Sequence, residues 1–339
     1  MMPAHPRRWL DLPDAPAIPG LRFRTYAARP DIGPLRDLLR AVNRVDGDTQ
    51  EWTYDELRLE LEEWTHVDPR EDRLLAFVGE QLVAGSNIDW LDSSDGRRFY
   101  QSVGHVHPEW RRRGIGAAMM QRNEQRLAEL AASHDGSRAP VLTTCFEATD
   151  TGARALAHLR GYRRARVYHH MTRPHLDGIV LPPLPDGLAV RPVTAETLPR
   201  LWDAIMEAFR DHFGGEDDSP AAFRRWSGDP NLDLSLAVIA FDGDEIAGGV
   251  LGYDMPEENE AQGYRRGWAD PVFTRRRWRR RGLASALIGL ALARLRDRGM
   301  TSAQLDVDSE NPNQALGLYE RHGFVVDRSS EEWHKPLAA

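Results

Sequence analysis

Arg279-Arg280-Arg281-Gly282-Leu283-Ala284 sets a basic residue, two spacers, Gly, one spacer and a small residue at the head of an apolar helical run. Arg111-Arg112-Arg113-Gly114-Ile115-Gly116 repeats the pattern 168 residues earlier, again opening an apolar run. A helix start has backbone N–H groups without partners and a partial positive charge. Small residues let an anion approach that backbone and arginines add charge, so the turn suits a phosphate or pyrophosphate. Taken alone, a basic glycine turn is also what a solvated helix cap looks like. Its occurrence twice points to a duplicated domain and a phosphate-bearing ligand.

Other segments recur in the same order. Gly20-Leu21-Arg22-Phe23-Arg24 matches Gly187-Leu188-Ala189-Val190-Arg191 at an offset of 167, and the stretch from Gly79 to Gly85 matches that from Gly243 to Gly249 at 164. Gly161-Tyr162 matches Gly323-Phe324 at 162. Nearly constant offsets in one order describe a whole-domain repeat, far longer than a solenoid period. The expected organisation is a flexible N-terminal arm over 1–19, a first domain over 20–178, a Pro-rich linker over 179–187 and a second domain over 188–339. The second half predicts a short strand at Leu188 and Val190, a helix over 198–210, a buried strand over 236–241 and an Asp-Gly hairpin turn at 242–244. A strand ending at 272–274, a helix over 283–298 with a stripe of Leu283, Leu287, Leu290 and Leu295, a strand over 303–307 and a helix around 316–320 follow. Hairpins early and a strand–helix–strand unit in the middle make each half a mixed α/β domain.

Composition narrows the function classes. With 339 residues, 41% hydrophobic and 28% charged, the chain is long enough for two globular domains. Nothing approaches eighteen unbroken apolar residues, so no membrane partner is expected, and the Pro/Asp-rich start reads as an arm rather than a signal peptide. A single cysteine, Cys145, excludes an internal disulfide and a multi-cysteine metal site and fits a cytoplasmic location. By the same offset Cys145 falls opposite Val307, a buried strand position. The net charge of −8 opposes polyanion binding, so the arginine run reads as a local anion site and no nucleic acid is expected. His105 and His107 lack further ligands nearby, so no metal is expected.

The strand, the arginine–glycine turn and the helix together resemble the GCN5-related N-acetyltransferases, the GNAT family. Asn311-Pro312-Asn313-Gln314-Ala315-Leu316-Gly317-Leu318-Tyr319, followed by Gly323-Phe324, resembles that family's second cofactor segment. The resemblance spans nearly the whole chain and implies two tandem GNAT domains, each a mixed, mostly antiparallel sheet flanked by helices. It implies acetyl-CoA as co-substrate, with Val272, Phe273 and Thr274 pairing with its pantetheine arm. Arg279, Arg280, Arg281, Gly282, Leu283 and Ala284 would hold its pyrophosphate through backbone N–H groups, and Asn311 would anchor the cofactor at the start of the second helix. Tyr319 would protonate the leaving thiolate; a phenol keeps its proton at neutral pH and can still donate it.

The halves are unequal. The offset of 162 sets Ala157 opposite Tyr319 and Thr149 opposite Asn311. The first domain therefore keeps a cradle, Val106 with Arg111, Arg112, Arg113, Gly114, Ile115 and Gly116, without the acid, and is expected not to catalyse. Whether it binds acetyl-CoA stays open. Many GNAT enzymes carry a Glu base four residues before the position of Val272; here that residue is Trp268. Strand alternation would set Trp268, Asp270 and Val272 on one face, which makes Asp270 the local candidate base, with water-linked acids at Asp254, Glu257, Glu258 or Glu260 as others. The expected reaction is direct transfer of acetyl to a primary amine of a small molecule. Asp211, Glu216, Asp217, Asp218 and the Glu257–Glu260 segment make the acceptor side acidic, which suits a cationic amine. A tandem arrangement also resembles the mycothiol synthases, from which Trp268 departs. A CoA-binding module without turnover is the alternative of another class.

Overall fold

The computed structural model describes residues 8–62, 66, 68–311 and 313–337. The chain divides into two compact units, Met1–Ala165 with Glu331–Ala339, and Arg166–Ser330. The division therefore falls well before the Pro-rich stretch, and the C-terminal residues belong to the first unit. The reason lies in two long strands: the one over 163–173 gives most of its length to the second unit, and the last strand ends in the first.

Unit 1 runs β1 (Trp9–Leu10), β2 (Leu21–Thr25), α1 (Arg29–Asp46), α2 (Tyr54–Glu62), α3 (Pro69–Asp72), β3 (Arg73–Val78), β4 (Gln81–Asp92), β5 (Arg97–Val106), α4 (Ile115–Ser133), β6 (Ala139–Glu147), α5 (Thr151–Leu159) and the start of β7 (Arg163–Arg173). Its sheet has the order β1-β2-β3-β4-β5-β6, antiparallel except for the parallel pair β5–β6. Residues 1–7 of the expected arm lie outside the described residues. The rest of it is built in, which corrects the expected flexibility: Trp9 and Leu10 pair with Arg24 and Phe23, and Leu12, Ala15 and Ile18 pack beside Ile115 and Met119. Those apolar side chains, spaced along a Pro-rich stretch, are what tie it down.

Unit 2 continues with β8 (Leu188–Arg191), α6 (Leu198–Phe209), α7 (Pro220–Ser227), β9 (Val238–Asp242), β10 (Glu245–Val250), β11 (Tyr253–Asp254), α8 (Pro256–Gln262), β12 (Arg266–Trp268), β13 (Val272–Thr274), α9 (Leu283–Asp297), β14 (Ser302–Asp308), α10 (Ala315–Arg321) and β15 (Val325–Pro336). β8, β9, β10 and β13 form one antiparallel sheet; β7, β14, β12 and β11 form the other ladder, in which β12 and β14 run parallel.

β9 shows why its sequence is continuously apolar. Val238 and Ala240 pack with Leu283, Leu287 and Leu292 of α9, while Ile239 and Phe241 pack with Leu201 and Ile205 of α6. A strand covered on both faces needs apolar side chains at every position, each large one contributing roughly 1.5–3 kcal/mol by burial. α6 buries Leu201, Ala204, Ile205 and Ala208, one stripe of a helix with a wet outer face. α9 is buried around more of its circumference than the predicted stripe: Ala286, Ile288, Ala291 and Leu292 join Leu283, Leu287 and Leu295, while Leu290 of that stripe is only half-buried. Its small residues permit that close approach.

The decisive feature is a splay. β12 pairs with β14 as far as Trp268 and Gln304, and Ala269 N–H still donates to the Gln304 carbonyl at 2.8 Å. Beyond that point the chain leaves for the other sheet, where Val272, Phe273 and Thr274 pair with Val250, Gly249 and Gly248. The stretch 268–272 is therefore not one alternating strand, which corrects the single face expected for Trp268, Asp270 and Val272. Unit 1 parts at the equivalent place, because β5 pairs with β6 only as far as Gln101 and Thr143 while β5 runs on unbroken to Val106.

Candidate active site

A cleft of about 670 Å³ opens at the splay of unit 2. One wall is Asp270 with β13, the other Asp306, Val307 and Asp308 of β14. The start of α9 and the Tyr319 face of α10 close it above. Of the residues expected at the site, Asp270, Val272, Phe273, Thr274, Arg279, Arg280, Gly282, Leu283, Ala284, Asn311 and Tyr319 all line it; Arg281 is exposed and does not.

The turn is held in an unusual conformation. Arg280 has φ 59° and Gly282 φ 83°, and α9 starts with no side-chain cap on its free N–H groups. A non-glycine residue at positive φ stores roughly 1 kcal/mol or more, the kind of strain found where backbone is aimed at a ligand. A Cβ on Gly282 would meet nothing within 4 Å, so the face above it is open. Uncapped N–H groups, an open approach and the exposed guanidinium of Arg280 fit a phosphate-bearing group, with Arg280 and the first residues of α9 as its holders. Among the described residues no group of three or more His, Cys, Asp or Glu is disposed to hold a metal ion.

Arg279 does something else. Its Nε donates to the Thr274 carbonyl at 3.0 Å, Nη2 to the Ala208 carbonyl at 2.8 Å and Nη1 to Asp211 at 2.8 Å. With its three guanidinium nitrogens engaged by protein oxygens, the side chain fastens the turn to the end of β13 and the end of α6. Arg275, Arg276 and Arg277 are likewise paired, with Glu207, Asp211 and Glu245. The arginine run is thus largely neutralised locally.

Deep in the cleft, Asp270 has no hydrogen-bond partner among the described residues. Burial, and then the neighbouring Asp306 and Glu216, push its pKa up to about 8. Tyr319 is 5% exposed, and burial followed by Asp270 raises its phenol above the ordinary value. Asp306 is held by His170, Oδ1 to Nδ1 at 2.6 Å. Asn311 lines the cleft while its Oδ1 accepts from Asn313 N–H at 2.9 Å; Pro312 lies outside the described residues. Trp268, at the family's base position, pairs with Tyr253. Of the acids named as alternatives to Asp270, none lines the cleft.

Asp306, Ser285 and His322 also belong to this region, and no motif in the sequence points to them. Asp306 alternates with the apolar Leu305 and Val307 on β14, and the splay leaves open space beside it as cleft wall. Cys145 is half-buried on β6 rather than fully buried.

The first unit repeats the turn and closes it. Arg112 has φ 61° and Gly114 φ 88°, and α4 also lacks a side-chain cap. Arg111 repeats the fastening, with Nε on the Val106 carbonyl at 3.1 Å and both Nη atoms on Asp46 at 2.7 Å. Here, however, a Cβ on Gly114 would lie 3.3 Å from Pro16. Arg112 Nε lies 3.5 Å from where a side chain on Gly152, at the head of α5, would begin. Arg113 stacks over Trp110, Ile115 is buried, and Gly116 faces Val106. Ala157, opposite Tyr319, is 1% exposed, and Thr149 donates to the Asp46 carbonyl.

The sequence pattern described as the acetyltransferase (GNAT) family matches residues 36–162 and again 198–324. The chain belongs to the GNAT family. It is an acyltransferase built of two tandem GNAT domains. It is 31% identical over 302 residues to a mycothiol acetyltransferase of Salinispora arenicola, covering 87% of this chain and 90% of that one. Among solved structures its fold resembles a GCN5-related N-acetyltransferase from Sphaerobacter thermophilus, with TM-score 0.69, 24% identity and coverage of 96% and 97%. It also resembles a tandem GNAT protein of the clavulanic acid biosynthesis pathway, with TM-score 0.67, 16% identity and coverage of 94% and 99%. No helix among the described residues is long and apolar enough to cross a membrane.

Proposed function

We propose that unit 2 moves the acetyl group of acetyl-CoA directly to a primary amine of a small cytoplasmic molecule, while unit 1 takes no part in the chemistry. The observation that carries this reading is the meeting of Asp270 and Tyr319 in one cleft beside the uncapped start of α9. The backbone of Val272–Thr274 on the side facing the cleft pairs with the pantetheine arm. The N–H groups of residues 283–285, with Arg280, hold the diphosphate, and Asn311 borders it.

The amine arrives as an ammonium and must lose a proton before it attacks. Asp270, with its pKa near 8, suits that exchange better than an ordinary carboxylate. Attack forms the C–N bond and breaks the C–S bond, and the departing thiolate takes its proton from Tyr319. Burial keeps that phenol protonated until the thiolate appears. Asp270, Asp306 and Asp308 on the cleft walls favour a cationic acceptor. Much of the acceleration comes from holding amine and thioester together.

A second reading concerns the acceptor alone. Similarity to mycothiol acetyltransferases over 87% of the chain favours the acceptor that those enzymes use. An amine-acetylation screen with thiol detection tests both. The proposal expects CoA release that requires an amine; tight CoA binding with no release by any amine would mark a binding module instead.

A further inference from the structure

Ser285 is the third residue of α9 and lines the cleft. Its Oγ lies 2.8 Å from Nε2 of His322, which caps the end of α10 and is 3% exposed. The other ring nitrogen, Nδ1, is buried and has no hydrogen-bond partner among the described residues. The ring lies near Arg173 and Arg321, and burial, followed by those two charges, lowers its pKa, so the imidazole is neutral.

A neutral imidazole carries one proton, and the surroundings choose its place. A proton on Nδ1 would be a buried donor without an acceptor, in the field of two guanidinium groups. A proton on Nε2 is donated to Ser285 Oγ and leaves on Nδ1 a lone pair, which those positive charges favour. The serine oxygen is then an acceptor for His322, and its own hydrogen is free to point elsewhere. No other hydrogen bond of the Ser285 side chain occurs among the described residues. The hydroxyl stands beside the unpaired N–H groups of the first turn of α9.

We propose that Ser285 is a side-chain donor to the diphosphate of the CoA thioester, and that His322 is the positioning residue that orients it. The inference rests on the reading of this cleft as the acetyl-CoA site. Unit 1 provides an internal contrast. The offsets of the repeat set Ala117 opposite Ser285 and Arg160 opposite His322, and Arg160 is engaged with Gln121 and Glu124. The pair occurs only where the cradle is open.

The test is a calorimetric titration with two probes, CoA and pantetheine, which lacks the diphosphate. Ser285→Ala should weaken CoA about tenfold, as expected for a lost hydrogen bond to a charged acceptor, and leave pantetheine unchanged. Ser285→Thr should retain wild-type CoA affinity. His322→Leu should weaken CoA by a smaller factor and have no further effect in the Ser285→Ala background. Equal weakening of both probes would mean a structural role, and unchanged CoA affinity in Ser285→Ala would remove the contact; either overturns the proposal. Wild-type protein that takes up no CoA removes the cofactor reading and the proposal together, whereas normal wild-type affinity with an indifferent Ser285 removes the proposal alone.

Discussion

Arg279 donates from Nε to the Thr274 carbonyl at 3.0 Å, and Arg111 makes the same bond to Val106 at 3.1 Å in the other unit. The first arginine of the motif is thus a fastener between strand end, turn and first helix. Arg279→Ala should cost about 2 kcal/mol in stability, because two carbonyls and Asp211 lose a charged donor. Arg279→Lys should recover little, since one ammonium does not reproduce three directed bonds. Thermal unfolding checks the first effect. CoA affinity should fall in both variants, while Arg111→Ala should destabilise without changing it.

Asp270 is a carboxyl whose pKa is raised in the folded chain, to about 8 from an ordinary value of 3.8. The folded state therefore disfavours its charged form. Stability is lost as pH climbs from about 4 to 8 and is level beyond. Asp270→Asn should remove that loss and unfold later at pH 9, by about 1–2 kcal/mol after allowance for its contact with the cleft. The same substitution should abolish most turnover. In the wild type, kcat/KM should rise with pH through about 8, as the base loses its proton. A flat profile from pH 6 to 9 would assign the base elsewhere.

Tyr319→Phe should lower kcat by about 100-fold, the usual scale for a lost general acid, with CoA affinity nearly unchanged. Because burial raises the phenol, the wild type should show no alkaline limb from Tyr319 below pH 10. Unchanged kcat in the Phe variant would remove Tyr319 as the proton donor.

Gly114 and Gly282 share a left-handed backbone, so alanine at either should cost roughly 1 kcal/mol. The surroundings then separate them. Gly282→Ala points a methyl into open space and should weaken CoA; Gly114→Ala meets Pro16 and should cost more stability while leaving CoA binding alone. Chemical unfolding and CoA titration on the two variants distinguish these effects.

Much of this was legible in the sequence, because the repeat aligned one half against the other. The Arg-Arg-Arg-Gly turn, the helix behind it and the strand before it follow from local chemistry, and so does the contrast between Tyr319 and Ala157. What escaped was what depends on distant segments. Pro16 reaches Gly114 across nearly a hundred residues, and Asp211 reaches Arg279 across 68. Alternation along 268–272 failed because the chain changes sheets there, and no run of residue types announces that. Ser285 and His322 are unremarkable in sequence; they meet because α9 and α10 share one wall of the cleft.

One of the two cradles is expected to be open and catalytic. Titration of the full chain with CoA, following heat or tryptophan fluorescence, measures it directly. The predicted result is one CoA per chain, with binding abolished by Ala284→Phe at the open cradle and retained by Gly116→Phe at the covered one. Two molecules per chain, or binding that survives Ala284→Phe, would contradict it.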